Sequence, residues 1–291
     1  MPKNSIKNIK NILTQYNIKP FRGLGQNFLI NRVVLKKIIK ASELKPSDII
    51  LEIGPGTGVL TQELAKHSKK VIAVEKDRKM VRILKEILKD YKNVEIIQGD
   101  VLKINPLGSP LADVQKNYKI KNYKVIANLP YYITSPVIRK FLENKNPPEL
   151  MVLMTQKEVA QRICTKPPKM NLLAVSVQFY GKPKIISYVS KQSFWPQPEV
   201  DSAIIKIVPS GELKKKTGSR LFFKIVKAGF SQPRKQIINN FKKVLKLKKQ
   251  SLGQWLGAFG IKPNQRAETL KMKDWINLSR TVNKYFPAFR L

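Results

Sequence analysis

Seven short runs rich in Val and Ile, spread between Asp48 and Val208, constrain this chain more than any other feature: DIILEIG, KVIAVE, VEIIQG, YKVIANL, LMVLMT, KIISYV and SAIIKIV. Continuous apolar runs suit strands covered on both faces. Segments with helical periodicity, such as Arg78 to Tyr91, lie between most of them and can supply the cover. The alternation predicts an α/β fold with a mainly parallel, doubly wound sheet. Only the Pro-containing stretch Lys191 to Asp201 separates the last two runs, which leaves no room for a crossover helix. Those two are expected to pair antiparallel.

The texture changes after Val208. Pro209-Ser210-Gly211 and the charged stretch ELKKKTGSR read as a linker, which sets an α/β domain over 1–210 and a small helical domain over 211–291. From Leu213 to Gln250 there are thirteen Lys or Arg and no Asp or Glu. Leu221, Phe222, Ile225 and Val226 recur there at helical spacing. The stretch 213–291 carries a net +18 of the chain's +37, so the first 212 residues hold the other +19 at far lower density.

A charge of +37 on 291 residues exceeds what solubility needs and points to a polyanionic partner. No apolar run is long enough to span a bilayer, so a membrane is not the expected partner. The opening residues MPKNSIKNIKN lack the apolar core of a secretory signal, and a cytoplasmic protein is expected. Cys164 is the only cysteine, which excludes an intramolecular disulfide and a multi-cysteine metal site. Beside Ile163 it reads as core filler.

The first run ends in Glu52-Ile53-Gly54-Pro55-Gly56-Thr57-Gly58 ahead of a helix-like VLTQELAKH. Glycines let the backbone turn sharply and let a ligand approach where a Cβ would collide, so Gly54, Gly56 and Gly58 are the expected floor of a pocket. Such turns serve dinucleotides, phosphates and S-adenosylmethionine alike. The second run ends in Glu75, about twenty residues on, where a carboxylate can accept from ribose hydroxyls. The third ends in Gly99-Asp100, placed to accept from an adenine amino group. Clustered negative charge suits a cationic sulfonium better than a pyrophosphate and favours methyl transfer over hydride transfer. Glu52 is either part of this set or a brace for the glycine turn.

The fourth run ends in Asn128-Leu129-Pro130-Tyr131. An exocyclic adenine amine is a poor nucleophile because its lone pair is delocalised into the ring. Acceptors aimed at its two protons favour the pyramidal geometry needed for attack and hold the nitrogen in line with a methyl group. The Asn128 side-chain oxygen and the Leu129 carbonyl can supply them, Pro130 stiffens the turn, and Tyr131 can stack on the base. No general base is demanded, since the methylated amine becomes strongly acidic and can lose its proton to water. The only histidine, His67, falls in a helix expected to be exposed.

Together with Gly25-Gln26-Asn27-Phe28-Leu29, Phe194-Trp195-Pro196-Gln197-Pro198, Val200-Asp201-Ser202, Phe230-Ser231-Gln232-Pro233-Arg234-Lys235 and Arg266-Ala267-Glu268, these motifs carry a resemblance. The chain resembles the small-subunit ribosomal RNA adenine N6,N6-dimethyltransferases of the KsgA type over nearly its whole length. The resemblance implies a Rossmann-like seven-stranded methyltransferase sheet with a small C-terminal helical domain. It implies S-adenosylmethionine as cofactor, and dimethylation of two adjacent adenines near the 3′ end of small-subunit RNA during ribosome assembly. The enzyme would be a monomer acting on a pre-ribosomal subunit. It further implies that Asn27 and Leu29 line the cofactor's methionine end beside Gly54, Glu75, Asp100 and Asn128, and that Phe194 stacks on the target base opposite Tyr131. An aromatic sandwich would compensate an extruded adenine for lost stacking. Asn239, Asn240 and neighbouring lysines would reach RNA backbone, while Leu245 and Leu247 pack. Pro233 stands where relatives are expected to carry a basic residue, which puts that phosphate contact in doubt. Three alternatives stay open: a large-subunit RNA methyltransferase conferring antibiotic resistance, a non-catalytic assembly factor, and a nicotinamide oxidoreductase.

Overall fold

The computed structural model describes residues 11, 13–16, 20, 25–103, 122–211 and 218–287. Most of MPKNSIKNIKN and most of the expected linker ELKKKTGSR lie outside the described residues. All seven apolar runs form strands: β2 (Ile49–Ile53), β3 (Lys70–Glu75), β4 (Val94–Gln98), β5 (Tyr123–Asn128), β6 (Leu150–Gln156), β7 (Gly181–Val189) and β9 (Ser202–Pro209). They make one sheet in the order β4-β3-β2-β5-β6-β9-β7. Neighbours from β4 to β6 run parallel, and β9 pairs antiparallel with β6. The last two runs, β7 and β9, lie side by side as expected.

Helices cover the middle of this sheet and leave its margins partly open. β5 and β6 are buried along almost their whole length, whereas β7 alternates, with Ile186 36% and Tyr188 51% exposed. The expectation of cover on both faces therefore fails for the edge strand, which has a neighbour on one side only. The helix expected from Arg78 to Tyr91 runs Arg78–Ile87, capped by the Asp77 side chain on the Lys79 amide, and ends in turns.

A second sheet of two short strands was not anticipated. β1 (Phe28–Leu29) pairs antiparallel with β8 (Phe194–Trp195), joining two motifs distant in sequence at the register Phe28↔Trp195. Its residues Leu29 and Phe194 enter the same hydrophobic cluster as Ile50, Leu60 and Leu64.

The chain divides into two compact units, Met1–Ala160 with Lys184–Pro209, and Gln161–Pro183 with Ser210–Leu291. The second is helical, built on Leu172–Tyr180, Ser219–Gly229, Ile237–Leu245, Lys249–Gly257 and Met272–Tyr285. Its core is aromatic: Phe179 stacks on Phe222 at 4.1 Å between ring centroids, and Phe230 on Trp275 at 5.3 Å. Gly229 admits the Trp275 ring, since a Cβ there would lie 2.4 Å from it. Two tail motifs meet through a Gln236–Arg266 bridge and the Ile237 amide on the Gln265 carbonyl. Asn240 corrects an expectation. It is fully buried and donates to the Gly229 and Gln232 carbonyls at 2.6 and 3.0 Å, so it fastens two helices and does not reach for RNA. Asn239, one residue back on the helix, is exposed. Leu245 packs as expected.

Candidate active site

The strand order reverses between β2 and β5, because β3 continues on one side of β2 and β5 sits on the other. Open α/β sheets bind ligands at such a switch point, outside the carboxyl ends of their strands. A cavity lies there in the first unit. It is lined by the glycine turn after β2, the ends of β3 and β5, the residues after β4, the segment Gly25–Leu29, and Phe194. Most residues expected to bind cofactor or base border it: Asn27, Leu29, Gly54, Gly56, Glu75, Asp100, Asn128, Leu129, Pro130, Tyr131 and Phe194. Gly58, also expected in the floor, is the exception: it does not line the cavity, and a Cβ there would press on Leu84 at 3.1 Å.

The glycine turn is dictated by its backbone. Gly54 has φ +65° and Gly56 φ +55°, a region closed to most side chains, and a Cβ on Gly56 would press on the Phe28 ring at 3.1 Å. The Glu75 carboxylate holds this turn in place. Its two oxygens accept from the Gly56 amide at 3.3 Å and the Asp77 amide at 2.9 Å. Burial nevertheless pushes its pKa up, against the pull of those amides.

Glu52 is more deeply buried and behaves differently. Among the described residues neither carboxyl oxygen has a hydrogen-bond partner, and the Thr61 hydroxyl near it is likewise unpartnered. Burial pushes its pKa to about 8, with Thr61 opposing the rise and Glu75 adding to it. Glu52 is therefore a neutral acid at physiological pH, bordering the cavity without bracing the glycine turn.

Asp100 sits at the more open end. Its partial burial resists ionisation, but the Leu102 amide at 2.9 Å and the Lys76 ammonium at 3.1 Å outweigh that and hold its pKa below the usual carboxylate value. Lys76 and the half-exposed Tyr132 also border the cavity, and neither was singled out from the sequence. The only available signal was adjacency, to Glu75 and to Tyr131.

The turn after β5 is fixed from three sides. The Asn128 side-chain amide donates to the Asn27 carbonyl at 3.0 Å, which settles the amide's orientation and leaves its oxygen as the acceptor. The Leu129 amide donates to the Met154 carbonyl at 3.3 Å, which ties the start of the turn to the neighbouring strand. The Tyr131 hydroxyl bonds Ser202 at 2.8 Å, and burial keeps that phenol's pKa high. Asn27 turns its side chain back on the Gly25 carbonyl at 3.3 Å. Phe194 is 3% exposed and shares its ring between the cavity wall and the core. His67 is exposed, away from these groups.

The donor and acceptor set suits S-adenosylmethionine. Glu75 ends β3 and Asp100 follows the end of β4 by two residues, a third carboxyl has no hydrogen-bond partner among the described residues, and the backbone is bare of Cβ atoms where a ligand must come close.

Comparisons with known proteins agree with this geometry. The family model for ribosomal RNA adenine dimethylase matches residues 18–284. The ribosomal RNA small subunit methyltransferase A of Dehalococcoides mccartyi strain 195 is 46% identical over 270 residues, covering 91% of this chain and 89% of that protein. The protein of the same name from Geobacillus thermodenitrificans is 39% identical over 288 residues, covering 97% and 96%. A crystal structure of a dimethyladenosine transferase from Plasmodium falciparum superposes with a TM-score of 0.73 at 30% identity, over 89% of this chain and 98% of that one. The 23S rRNA methyltransferase ErmE shares the fold, with a TM-score of 0.68 at 24% identity over 87% and 98%. With a match over nearly the whole chain and the glycine turn, strand-end acids and Asn-Leu-Pro-Tyr turn gathered on one cavity, this chain belongs to the ribosomal RNA adenine dimethylase family.

Proposed function

We propose that the protein dimethylates two adjacent adenines near the 3′ end of small-subunit ribosomal RNA, with both domains' basic surfaces docked on a pre-ribosomal particle. It is an S-adenosylmethionine-dependent adenine methyltransferase of small-subunit RNA, as its most similar relatives are named. The observation that carries the chemistry is the position of Asn128-Leu129-Pro130-Tyr131 on the rim of the cavity that the glycine turn floors.

When bound, S-adenosylmethionine supplies an electrophilic methyl group on a sulfonium. The rest is the work of this chain. Glu75 and Asp100 receive the ribose and adenine of the cofactor, each oxygen keeping a lone pair beyond its present partner. Gly54, Gly56, Asn27 and Leu29 shape the methionine end. The Asn128 oxygen and the Leu129 carbonyl accept the two amine protons of the target adenine, which localises the nitrogen lone pair and aims it. Tyr131 and the wall at Phe194 hold the extruded base by stacking. Loss of the proton to water completes each transfer, and two rounds give the dimethylated base.

The helical domain over 211–291 serves as the RNA-docking domain, on the strength of its run of thirteen basic residues without an acid between Leu213 and Gln250. The protein works as a cytoplasmic monomer. No helix of the described residues is long and apolar enough to cross a membrane. The deciding measurement is methyl incorporation from labelled S-adenosylmethionine into unmethylated small-subunit and large-subunit particles. Label is expected in small-subunit adenines as N6,N6-dimethyladenine. Label confined to large-subunit RNA would reassign the substrate, and cofactor binding without incorporation would leave an assembly factor.

A further inference from the structure

The first unit carries a second concavity, between the helices Arg32–Ala41 and Val59–Lys66. Arg32, Lys36 and Lys40 recur every fourth residue on the first helix and border it, forming one row with steps of about 6 Å. Lys66 and His67 rim the opposite side. The one acid on its wall, Glu63, is already tied to the Lys66 ammonium at 2.6 Å. With Lys66 and Glu63 paired, Arg32, Lys36 and Lys40 remain as three cations without an acid on the wall to offset them. The floor is apolar, made by Leu35, Ile39 and Val59, and the half-buried Tyr91 ring adds an aromatic face.

This combination selects among anions. A lone phosphate needs donors that converge on one point, and these cations are strung along a line above apolar surface. A single strand of nucleic acid fits both features, since its phosphates follow a row of charges while an unstacked base lies on an aromatic or apolar floor. The groove neighbours the site already described, since Val59, the first residue of the helix Val59–Lys66, lines both the groove and the cofactor cavity. That eight-residue helix is about 12 Å long, so RNA flanking an extruded base has the groove within reach.

We infer that this groove is an RNA subsite: it holds single-stranded ribosomal RNA flanking the target adenine, with phosphates on Arg32, Lys36 and Lys40 and one base on Tyr91. The inference rests on the reading of the protein as an RNA adenine methyltransferase and locates a part of the substrate outside the reaction cavity. The groove sets substrate affinity and leaves the chemical step alone.

The test uses the full-length protein and unmethylated small-subunit ribosomal particles. Lys36→Gln combined with Lys40→Gln is expected to flatten the slope of log affinity against log salt by about 1.4, at about 0.7 per lost single-strand phosphate contact. KM for RNA should rise about tenfold at low salt, with kcat at saturating RNA and the cofactor Kd both unchanged. Tyr91→Leu, which keeps the apolar filling, is expected to weaken RNA binding about fivefold or more without altering the slope. Lys145→Gln with Lys184→Gln, an exposed pair elsewhere in the same unit, is the control. Groove variants that match the wild type in slope and KM overturn the inference, and so does an equal loss in the control pair. An active wild type with indifferent groove variants removes the groove alone; a wild type that neither binds nor methylates these particles removes the methyltransferase reading with it.

Discussion

At the amino edge of the sheet, the buried Lys124 ammonium of β5 finds three oxygens: Asp48 at 2.7 Å, the Ser42 carbonyl at 3.2 Å and the Glu43 carbonyl at 2.5 Å. At the carboxyl edge, on the neighbouring β2, Glu52 is at least as deeply buried and finds no partner among the described residues. Both side chains leave water at a cost. The first recovers it inside the fold, so its position serves stability. The second does not, and it borders a cavity floored by glycine backbone at positive φ, where the Asn128 side-chain amide donates to Asn27 and presents its oxygen as an acceptor. A buried carboxyl left unsatisfied beside backbone bare of side chains marks the place where a ligand completes the structure.

The contrast can be broken most directly at Lys124. Lys124→Met leaves the part-buried Asp48 with only the Lys45 amide and strips the Ser42 and Glu43 carbonyls of their donor, and unfolding free energy from urea titration should fall by about 3 kcal/mol. Methyl transfer per folded molecule should stay the same. Asn128→Ala is the mirror case. Methyl transfer should drop on the order of 10²–10³-fold while the melting temperature and cofactor-free stability hold, as expected for an acceptor felt mainly in the transition state. If the first variant lost catalysis without losing stability, or the second lost stability instead of catalysis, the two edges would not differ in kind.

Glu52 sharpens the comparison through pH. Its pKa is raised from 4.5 to about 8, so the folded protein keeps a proton that the unfolded chain sheds. The contribution to stability is fully present below about pH 4.5, declines as pH rises, and is gone above about pH 8. Glu52→Gln cannot ionise. The cofactor-free variant should lose less stability than the wild type between pH 5 and pH 8, measured by denaturation at both. Parallel curves would mean that the carboxyl ionises normally in the folded state. The smallest effect belongs to the second unit, where Lys242→Gln with Lys243→Gln should reduce the salt dependence of RNA binding by about 0.7–0.9 per charge and leave the cofactor Kd alone.

Much of the fold was legible because strand-forming runs advertise themselves locally. Every Val- and Ile-rich segment became a strand, and the glycine spacing located the turn that only positive φ allows. The site residues Glu75, Asp100 and Asn128 were readable for the same reason, since Glu75 and Asn128 close strands and Asp100 follows one by two residues, at the edge where parallel sheets bind. Lys76 and Tyr132 were not, because a side chain's reach across a cavity leaves no local pattern. Asn240 misled for a related reason. An Asn on a basic helix reads as a surface donor until the carbonyls of another segment are brought to it.

The sequence alone determined which segments are strands, where the chain turns, what charge it presents and which chemical groups end each strand, because these depend on near neighbours. Tertiary structure decided the rest. It paired Phe28-Leu29 with Phe194-Trp195, set Gln161–Pro183 with the C-terminal helices through the Phe179–Phe222 stack, and buried Glu52 without a hydrogen-bond partner among the described residues. Those outcomes depend on which distant surfaces exclude water from one another, and that energy belongs to the packed molecule as a whole.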